Sequence, residues 1–328
     1  MTTHAVIGTG YWGSNHVRVA SELEEAGVLD DVVLCDIDKT RVRDLASDYG
    51  LEYVTDHSQL SDIGVDTAVI ATPSTTHREI ATTLLESGID CLVEKPLALS
   101  SDDAWDIVDT ASENGRTLGV GHIFRYHPAL RGLERRIDRG ELGQIKYLTT
   151  TRSTFRAPRA TTGALYSLAV HDVDIYNMLL ERTPDHLFCR LDRHVRDDID
   201  ETATLVLGYG GVTGIINESW QIPVFGKRRD LVVVGSERTA HLDYLADTEL
   251  TIYDASVVRE GDALRAQDEG STTYEVEGYE PLRQEIEDFL TASCEGRDPL
   301  ADGEIGAKTV ELLERAEESA ERNETIEL

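Results

Sequence analysis

The chain is poor in positive charge and in cysteine, and it has no long apolar run. Its 328 residues include 31 lysines and arginines against 62 aspartates and glutamates, and only five of the bases are lysines. A net charge of −31 argues against nucleic acid or an anionic membrane as a partner, because like charges repel. No apolar segment reaches the roughly 18 residues that cross a membrane, and no charged-then-apolar leader is present. We therefore expect a cytoplasmic protein that binds neither nucleic acid nor membrane.

The cysteines are few, and they are too far apart in sequence to suggest a metal or redox pair. None of the four belongs to a Cys-x-x-Cys pattern. We expect all of them to be buried single thiols in a reducing compartment. They are Cys35, Cys91, Cys189 and Cys294.

The acidic residues are spread along the chain and do not form a tail. Hydrophobic residues make up 40% of the sequence, which argues against disorder despite the charge. A basic partner would normally face a concentrated acidic block, and the sequence has none. The spread favours a halophilic protein whose acidic surface is adapted to concentrated salt, where the Debye length falls to about 3 Å at 1 M. Binding of a basic partner is the alternative.

Strands and helices alternate through residues 1–122, which is typical of a parallel sheet buried on both faces. The predicted strands are 4–8, 32–36, 66–71, 90–94 and 117–122. The predicted helices are 14–26, 39–48, 76–88 and 101–114. Right-handed crossovers bring the carboxyl ends of such strands to one edge, where ligands bind. We expect residues 1–122 to form a doubly wound α/β domain of the Rossmann type.

From residue 123 onward, strand-like runs joined by hairpin-like turns dominate. The predicted helices are 128–139, 171–181, 281–294 and 303–322. The predicted strands include 144–155, 187–191, 202–209, 213–220, 229–234 and 239–244. This pattern predicts an α+β domain over residues 123–328 with a large, mostly antiparallel sheet.

A Gly-x-Gly-x-x-Gly pattern lies between the first predicted strand and the first predicted helix. Gly8 permits a tight turn, Gly10 lets the backbone approach a pyrophosphate, and Gly13 lets the helix pack closely. The helix that follows directs its partly positive amino terminus at the phosphates. We predict a dinucleotide site that includes Tyr11 and Trp12. A tight turn without a ligand is the alternative.

Asp36 ends the second predicted strand, about 20 residues beyond the glycines, where Rossmann domains place an acid. A carboxylate there accepts hydrogen bonds from an adenosine ribose and repels a 2′-phosphate. Asp36 therefore favours NAD over NADP. Thr40 and Arg41 are close enough in sequence to tolerate some NADP.

Two further strands end in proline-containing turns at the same predicted edge. Thr72-Pro73 follows one strand and Glu94-Lys95-Pro96 follows the next. Lys95 is the cation that this arrangement places beside the nicotinamide. Desolvation would make it a proton donor or a hydrogen-bond donor to a substrate oxygen. A surface lysine paired with Glu94 is the alternative.

His171 begins an apolar helix and is a candidate base. Hydride removal from a secondary alcohol needs a base for the hydroxyl proton, and histidine suits a pH near 7. A capped or buried structural histidine is the alternative. A metal site made by His171, Asp172 and Asp174 is disfavoured, because these side chains diverge on a helix and no other histidine or cysteine is near in sequence. We therefore predict no metal.

Several arginines could hold a phosphate or carboxylate of a substrate through bidentate contacts. The candidates are Arg125, Arg152, Arg156, Arg228 and Arg229. A solvated ion pair is the alternative for each of them. Trp220 ends a strand-like run and could stack on a sugar ring or pack in the core.

Taken in chain order, these features resemble the Gfo/Idh/MocA oxidoreductases, the family of glucose–fructose oxidoreductase and inositol dehydrogenase. The resemblance covers nearly the whole chain. It is carried by Gly8 to Gly13, Ala71-Thr72-Pro73 with His77, Glu94-Lys95-Pro96 and His171-x-x-Asp174. The branch that acts on nucleotide sugars, such as UDP-N-acetylglucosamine 3-dehydrogenases, is the most similar. That similarity is carried by Gly10 to Asn15, Gly121 to Ala129 and Glu218-Ser219-Trp220.

The resemblance implies that Lys95 and His171 flank the reacting carbon, with His171 as the general base. It also implies further contacts to cofactor or substrate from His77, Glu94, Tyr126, Ser167 and Asp174. Ser167 stands where many members carry an aspartate, and Tyr126-His127-Pro128 replaces the more usual Tyr-Asn-Pro. The open face of the second sheet is expected to form a homodimer or homotetramer.

The expected function is that of an NAD(P)-dependent dehydrogenase that removes hydride from a secondary hydroxyl of a sugar or nucleotide sugar, of the UDP-N-acetylglucosamine type at C3. Two alternatives remain. A redox-neutral, NAD-dependent glycosidase of the same fold would produce no net NADH. A non-catalytic NAD-binding sensor would bind the cofactor and turn over no sugar.

Overall fold

The computed structural model describes residues 2–159, 161–223 and 226–328. These residues form two compact units. The first contains residues 2–123 together with Glu280–Glu311. The second contains the described residues of Phe124–Tyr279 together with Leu312–Leu328.

The first unit is built on a parallel sheet of six short strands. They are β1 (Thr3–Ile7), β2 (Asp31–Cys35), β3 (Glu52–Val54), β4 (Thr67–Ile70), β5 (Asp90–Val93) and β6 (Leu118–Val120). The helices between them are α1 (Gly13–Glu25), α2 (Lys39–Tyr49), α3 (His77–Glu86) and α4 (Ser101–Glu113). The strand order β3-β2-β1-β4-β5-β6 is that of a doubly wound dinucleotide-binding fold, which confirms the predicted fold class of this half.

Helices cover both faces of this sheet, and the strand sequences show it. In β1, Ala5 and Ile7 join one apolar cluster while Val6 joins the other. Because successive side chains of a strand point to opposite faces, a strand buried on both sides is apolar throughout. The sequence did not predict β3, since its three residues are too few to show a period.

The second unit contains a nine-stranded sheet. Its strands are β7 (Ile145–Ser153), β8 (His186–Asp192), β9 (Thr202–Tyr209), β10 (Val212–Ser219), β11 (Arg228–Gly235), β12 (Thr239–Asp243), β13 (Glu249–Glu260), β14 (Ala263–Glu275) and β15 (Ile326–Glu327). The order is β14-β13-β12-β11-β7-β10-β9-β8-β15. Strands β7 and β10 pair in parallel and the other neighbours pair antiparallel, so the predicted mostly antiparallel sheet is confirmed.

Two helices of the second unit matter for the site, α5 (Pro128–Asp138) and α6 (Val170–Leu180). A π-helical turn at Leu165–Ala169 leads into α6. Tyr176 of α6 lies against β10 at Gly214, where a Cβ atom would come within 2.7 Å of the tyrosine ring. The Tyr176 hydroxyl donates to the carbonyl oxygen of Ile215 at 2.8 Å and contacts the Thr150 hydroxyl at 3.0 Å. These contacts fix α6 across the middle of the sheet.

The chain ends with α7 (Pro281–Glu295) and α8 (Gly303–Arg322). Helix α7 belongs to the first unit, where Leu282, Ile286 and Phe289 join an apolar core cluster.

Cys35, Cys91 and Cys189 are buried as predicted, but Cys294 is exposed. The prediction was wrong there because Cys294 lies on the solvent side of the amphipathic α7. None of the helices described is long and apolar enough to cross a membrane.

Candidate active site

The glycine pattern forms a tight loop between β1 and α1. Gly8 has a φ of +89°, and a Cβ atom there would lie 2.7 Å from the carbonyl oxygen of Ala71. A Cβ atom on Gly13 would lie 1.7 Å from the carbonyl oxygen of Gly8. Both distances are far below van der Waals contact, so these two positions accept glycine alone. The helix start is therefore held directly against the turn.

Gly10 differs from its two neighbours in the pattern. A Cβ atom on Gly10 would meet no described atom within 4 Å. The open space lies beside the amino end of α1, where the helix dipole favours a negative charge. The N–H groups of Ser14 and Asn15 there donate to the carbonyl oxygens of Gly10 and Trp12, each at 2.9 Å. The loop therefore fits a pyrophosphate brought close to the backbone, which is what NAD presents.

Asp36 lies beside this loop at the end of β2. Its Oδ2 atom accepts hydrogen bonds from the backbone N–H of Thr9 at 2.7 Å and from the Thr9 hydroxyl at 2.8 Å. Its Oδ1 atom accepts from the N–H of Asp38 at 2.9 Å, and Arg41 Nη1 lies 3.3 Å from Oδ2. Burial by itself would raise the pKa of Asp36, but these bonds and the Arg41 charge outweigh it and hold the pKa below 3.8. Asp36 is thus a carboxylate.

A groove of about 670 Å³ opens between the glycine loop and α2. It is lined by Thr9, Gly10, Tyr11, Ser14, Arg41, Asp44, Leu45 and Asp48. Its size and its place beside the loop fit one half of a dinucleotide. Tyr11 is highly exposed at the groove rim, in agreement with a ligand-facing position.

The turns after β4 and β5 are tied together by His77. Its Nδ1 atom lies 3.0 Å from the carbonyl oxygen of Pro96, and its Nε2 atom lies 3.0 Å from that of Thr72. His77 is buried, while Pro73 is exposed. His77 therefore acts on any ligand through the two turns it joins.

Glu94 is the acceptor at which several elements of the first unit meet. Its Oε1 atom lies 2.8 Å from His16 Nε2 and accepts the indole N–H of Trp12, and its Oε2 atom accepts the backbone N–H of Lys95 at 3.2 Å. Burial alone would raise the pKa of Glu94. The bond and charge of His16, with smaller contributions from Lys95 and Trp12, outweigh burial and lower that pKa below 4.5. Lys95, which is half-buried, is the next residue in the chain after this carboxylate, so the contacts of Glu94 also fix the backbone of Lys95.

In the second unit, His171 lies in the first turn of α6 and is half-buried. Its ring packs edge-on against Phe124, with the ring centroids 4.9 Å apart and the planes at 74°. The ring of Phe124 also faces the guanidinium of Arg152 at 4.4 Å. The position of the imidazole is therefore set by an aromatic ring that is itself held by a buried cation.

Arg152 is a structural residue in this arrangement. It is sandwiched between Phe124 and Tyr244, each ring centroid lying 4.4 Å from its guanidinium carbon, and its Nη2 atom donates to Asp172 Oδ1 at 3.1 Å. Arg152 and Asp172 are fully buried. Arg152 is thus buried and paired with Asp172, and the predicted contact with substrate is not seen. The ion pair holds Asp172, which directly follows His171 in the chain.

The other predicted substrate residues also have partners within the second unit. Arg125 Nε donates to Asp174 Oδ1 at 2.8 Å, so these two candidates pair with each other in a buried site. Ser167 lies in the π-helical turn, and its hydroxyl is 3.0 Å from that of Thr162. Arg228 is exposed and pairs with Asp230.

Two aromatic candidates are buried. Trp220 is 1% exposed, which makes it a core residue and leaves no ring face for the predicted stacking on a sugar. Tyr126 is also buried.

Within the described ranges, no group of three or more histidine, cysteine, aspartate or glutamate side chains is arranged to hold a metal ion.

Comparison with known proteins gives the family. The model of the oxidoreductase family with an NAD-binding Rossmann fold, Gfo/Idh/MocA, matches residues 2–122, and that of the Gfo/Idh/MocA C-terminal domain matches residues 130–241. The chain belongs to the Gfo/Idh/MocA oxidoreductases. It is an NAD-dependent oxidoreductase, as predicted, and the glycine loop and Asp36 supply a site that fits this cofactor.

Relatives of this family match along much of the chain. UDP-N-acetylglucosamine 3-dehydrogenase of Acidithiobacillus ferrooxidans is 27% identical over 309 residues, which is 93% of each chain. The NAD⁺-dependent scyllo-inositol 2-dehydrogenase of Bacillus subtilis is 28% identical over 268 residues, or 76% of each chain. Levoglucosan dehydrogenase in complex with NADH and L-sorbose has the same fold, with a TM-score of 0.87 at 19% identity over 100% of this chain and 98% of that one.

Some residues that shape the oxidoreductase site were not predicted from the sequence. They are Thr9, His16, Phe124, Tyr244 and Glu285. Thr9 and His16 lie in or just after the glycine pattern, so their position next to a cofactor loop was a usable signal. Phe124 lies within the Gly121 to Ala129 stretch that carries the family resemblance, so it too had a usable signal. Tyr244 and Glu285 belong to no motif, and their roles depend on contacts between distant parts of the chain.

Proposed function

We propose that the protein oxidises a secondary hydroxyl of a nucleotide-linked sugar, and that its substrate is of the UDP-N-acetylglucosamine type with reaction at C3. The observation that carries this proposal is the match to UDP-N-acetylglucosamine 3-dehydrogenase along 93% of both chains. The scyllo-inositol 2-dehydrogenase match covers 76% of each chain, and the myo-inositol 2-dehydrogenase of Thermotoga maritima matches over 98% of this chain at the lower identity of 23%. Identity and coverage taken together therefore favour the nucleotide-sugar relative over the inositol dehydrogenases. Residue patterns from the glycine loop to Trp220 agree with the same branch of the family.

In the proposed mechanism His171 takes the hydroxyl proton on a ring nitrogen as the carbon–hydrogen bond breaks. The glycine loop and Asp36 would hold NAD, which would supply the hydride acceptor. Lys95 donates a hydrogen bond to the substrate oxygen as it changes from hydroxyl to ketone. The packing of His171 on Phe124, and of Phe124 on Arg152, supports a base with a fixed orientation.

The test is NADH formation, followed by absorbance in molar KCl, over a panel of UDP-sugars, free sugars, uronic acids and inositols. We expect a signal with a UDP-sugar and little with free sugars. A signal with inositols or free sugars alone would overturn the nucleotide-sugar assignment. Silence across the panel, with NAD binding intact, would overturn the dehydrogenase and leave the redox-neutral glycosidase or the sensor. Release of the aglycone from a glycoside would then identify the glycosidase.

Matched variants test the two proposed catalytic residues. We expect His171→Ala and Lys95→Met to lower kcat by roughly 10²–10⁴-fold with NAD affinity almost unchanged. His194→Ala and Lys146→Met are the controls, because both side chains are exposed, and they should keep wild-type kcat. Wild-type kcat in either of the first two variants would refute the role given to that residue.

The salt adaptation and the assembly are part of the same proposal. With 62 acidic residues against 31 basic ones, unscreened repulsion should lower stability in dilute buffer. The melting temperature should therefore rise with added KCl, and a melting temperature that does not change with KCl would refute the salt adaptation. Light scattering coupled to gel filtration should give a homodimer or homotetramer, and a monomer at micromolar concentration would refute that part.

A further inference from the structure

Four cations lie at one end of the nine-stranded sheet. Arg156 follows the carboxyl end of β7, and Lys227 and Arg229 lie at the amino end of β11. These two strands are antiparallel neighbours, with Arg229 directly opposite Arg152, so their ends meet at the same edge. Arg159 lies three residues beyond Arg156 in the segment that leaves β7.

The four cations share this end of the sheet, and no acidic partner accompanies them there among the described residues. Within the part of the chain that the structure describes, none of them makes an ion pair with a carboxylate. The neighbouring Arg228, by contrast, pairs with Asp230. A group of unpaired cations within a chain of net charge −31 indicates a place where an anion binds.

The acids beneath this end of the sheet do not balance the charge. Arg229 is half-buried, and like charges directly opposite each other on paired strands are destabilising. Asp172 neutralises Arg152. Burial and the carboxylate of Asp172 raise the pKa of Glu218 well above 4.5 against the opposing charges of Arg152 and Arg229, which favours the neutral form of Glu218. Burial and the charge of Arg152 also lower the pKa of Arg229, which a bound anion would reverse.

An aromatic ring lies beside the cations. Phe155 is 68% exposed and forms an isolated bridge to Gln221, next to Arg156. The guanidinium of Arg156 lies 5.7 Å from the ring centroid of the buried Trp220. A large exposed aromatic surface next to arginines is what a nucleotide requires, because its base stacks on a ring while its phosphates take charge-assisted hydrogen bonds.

This sheet end is also the end of the second unit that carries the proposed base. Arg152 lies on β7 opposite Arg229, and it pairs with Asp172, the residue after His171. One arginine therefore connects the unpaired cations with the start of α6.

We propose that Arg156, Arg159, Lys227 and Arg229 form a subsite for the diphosphate of the substrate, with Phe155 stacked on its base. The sugar part of this assignment rests on the proposed function. The diphosphate part rests on the four cations and the exposed ring. A nucleoside diphosphate should accordingly bind without any sugar attached.

The test is calorimetric titration of the NAD-loaded protein with UDP, UMP and uridine. We expect UDP to bind, UMP to bind more weakly, uridine not to bind, and molar KCl to weaken UDP binding by ion competition. Arg229→Gln and Lys227→Gln should each weaken UDP binding by about 10- to 100-fold, the loss of one charge-assisted hydrogen bond. Arg265→Gln is the matched control, because Arg265 is exposed on β14 and pairs with Glu260.

Stability separates a binding role from a structural one. Arg229→Gln removes one of two facing like charges, so its melting temperature should not fall below that of the wild type. A lower melting temperature with unchanged UDP affinity would make Arg229 structural and overturn the subsite. Equal binding of UDP and uridine, or displacement of UDP by sulfate at the same concentration as by pyrophosphate, would also overturn it.

The subsite and the proposed function fail in different ways. UDP binding that depends on Arg229 and Lys227, without turnover of any sugar, would support the subsite and refute the dehydrogenase. Turnover of a UDP-sugar with an unchanged KM in Arg229→Gln would support the dehydrogenase and refute the subsite. If both hold, Arg229→Gln should raise KM for the UDP-sugar and leave kcat nearly unchanged.

Discussion

His16 Nε2 lies 2.8 Å from Glu94 Oε1, and both side chains are buried. The contact joins the first turn of α1 to the turn after β5, across 78 residues of sequence. Glu94 also accepts the N–H of Trp12 in the glycine loop and the backbone N–H of Lys95. The cofactor loop and the proposed catalytic lysine are therefore positioned by one carboxylate.

Glu94→Gln tests that relationship. The variant keeps the shape but loses the charge, and at pH 7 we expect the free energy of unfolding to fall by about 1–3 kcal/mol. The pKa of Glu94 is lower in the folded state than its usual 4.5, so its stabilisation is full above that value and is lost as the pH falls through the folded-state pKa. The wild-type and variant curves should therefore converge on acidification in urea titrations.

Glu113→Gln is the control for this experiment, because Glu113 is exposed at the end of α4. It should match the wild type at every pH. A constant difference between wild type and Glu94→Gln from neutral to acid pH would show that the charge of Glu94 does not stabilise the fold.

The glycine loop gives a pair of variants with opposite expected effects. Gly13→Ala places a methyl group where the Gly8 carbonyl oxygen already lies, so we expect it to destabilise the protein by about 3 kcal/mol or more. Gly10→Ala meets open space and should keep wild-type stability. It should nevertheless weaken NAD binding, because the pyrophosphate needs that space. Thermal unfolding and NAD titration of both variants check this, and unchanged NAD affinity in Gly10→Ala would contradict it.

Features that depend on local sequence could be predicted. The glycine pattern, the alternation of strands and helices and the Asp36 position each follow from residue spacing and from rules that hold for any parallel sheet. The helical start at His171 was predicted from the apolar run that follows it. These are interactions within one turn, one strand or one crossover.

Features that depend on distant contacts could not be predicted. From the sequence, Arg125 and Arg152 could bind substrate or form solvated ion pairs. In the fold they form buried ion pairs with Asp174 and Asp172 on α6. Trp220 read equally well as a surface or a core residue, because nothing in its strand shows which neighbour covers it. The register between β7 and β11, which places Arg229 opposite Arg152, is set by pairing that no short sequence window contains.

Asp36 should decide the choice between NAD and NADP. Asp36→Ser removes the carboxylate that repels a 2′-phosphate. In the wild type Arg41 Nη1 lies 3.3 Å from that carboxylate, so in the variant Arg41 becomes available to bind the 2′-phosphate of NADP. We expect NAD affinity to fall by about 10- to 100-fold and NADP affinity to rise. Adding Arg41→Gln to Asp36→Ser should remove the gain for NADP. An unchanged ratio of NAD to NADP affinity in Asp36→Ser would show that specificity is set elsewhere.

Glu285 on α7 should make the protein less stable as the pH rises. It is 1% exposed, and neither carboxyl oxygen has a hydrogen-bond partner among the described residues. Burial and the nearby charge of Glu94 raise its pKa well above 4.5, so the folded state holds a proton that the unfolded state releases. Between those two pKa values, the free energy of unfolding should fall by up to about 1.4 kcal/mol per pH unit from this group.

Glu285→Gln removes the ionisable group and keeps the volume. At pH 8 the urea midpoint of unfolding of this variant should therefore be higher than that of the wild type, and the difference should grow with pH. Glu295→Gln, at the exposed end of α7, is the control and should follow the wild type. Parallel wild-type and Glu285→Gln profiles between pH 5 and 9 would contradict the assignment. Because the charge of Glu94 is one cause of the raised pKa, Glu94→Gln should reduce the margin at a given pH. That coupling would show that Glu94 sets the protonation of Glu285 as well as the position of Lys95.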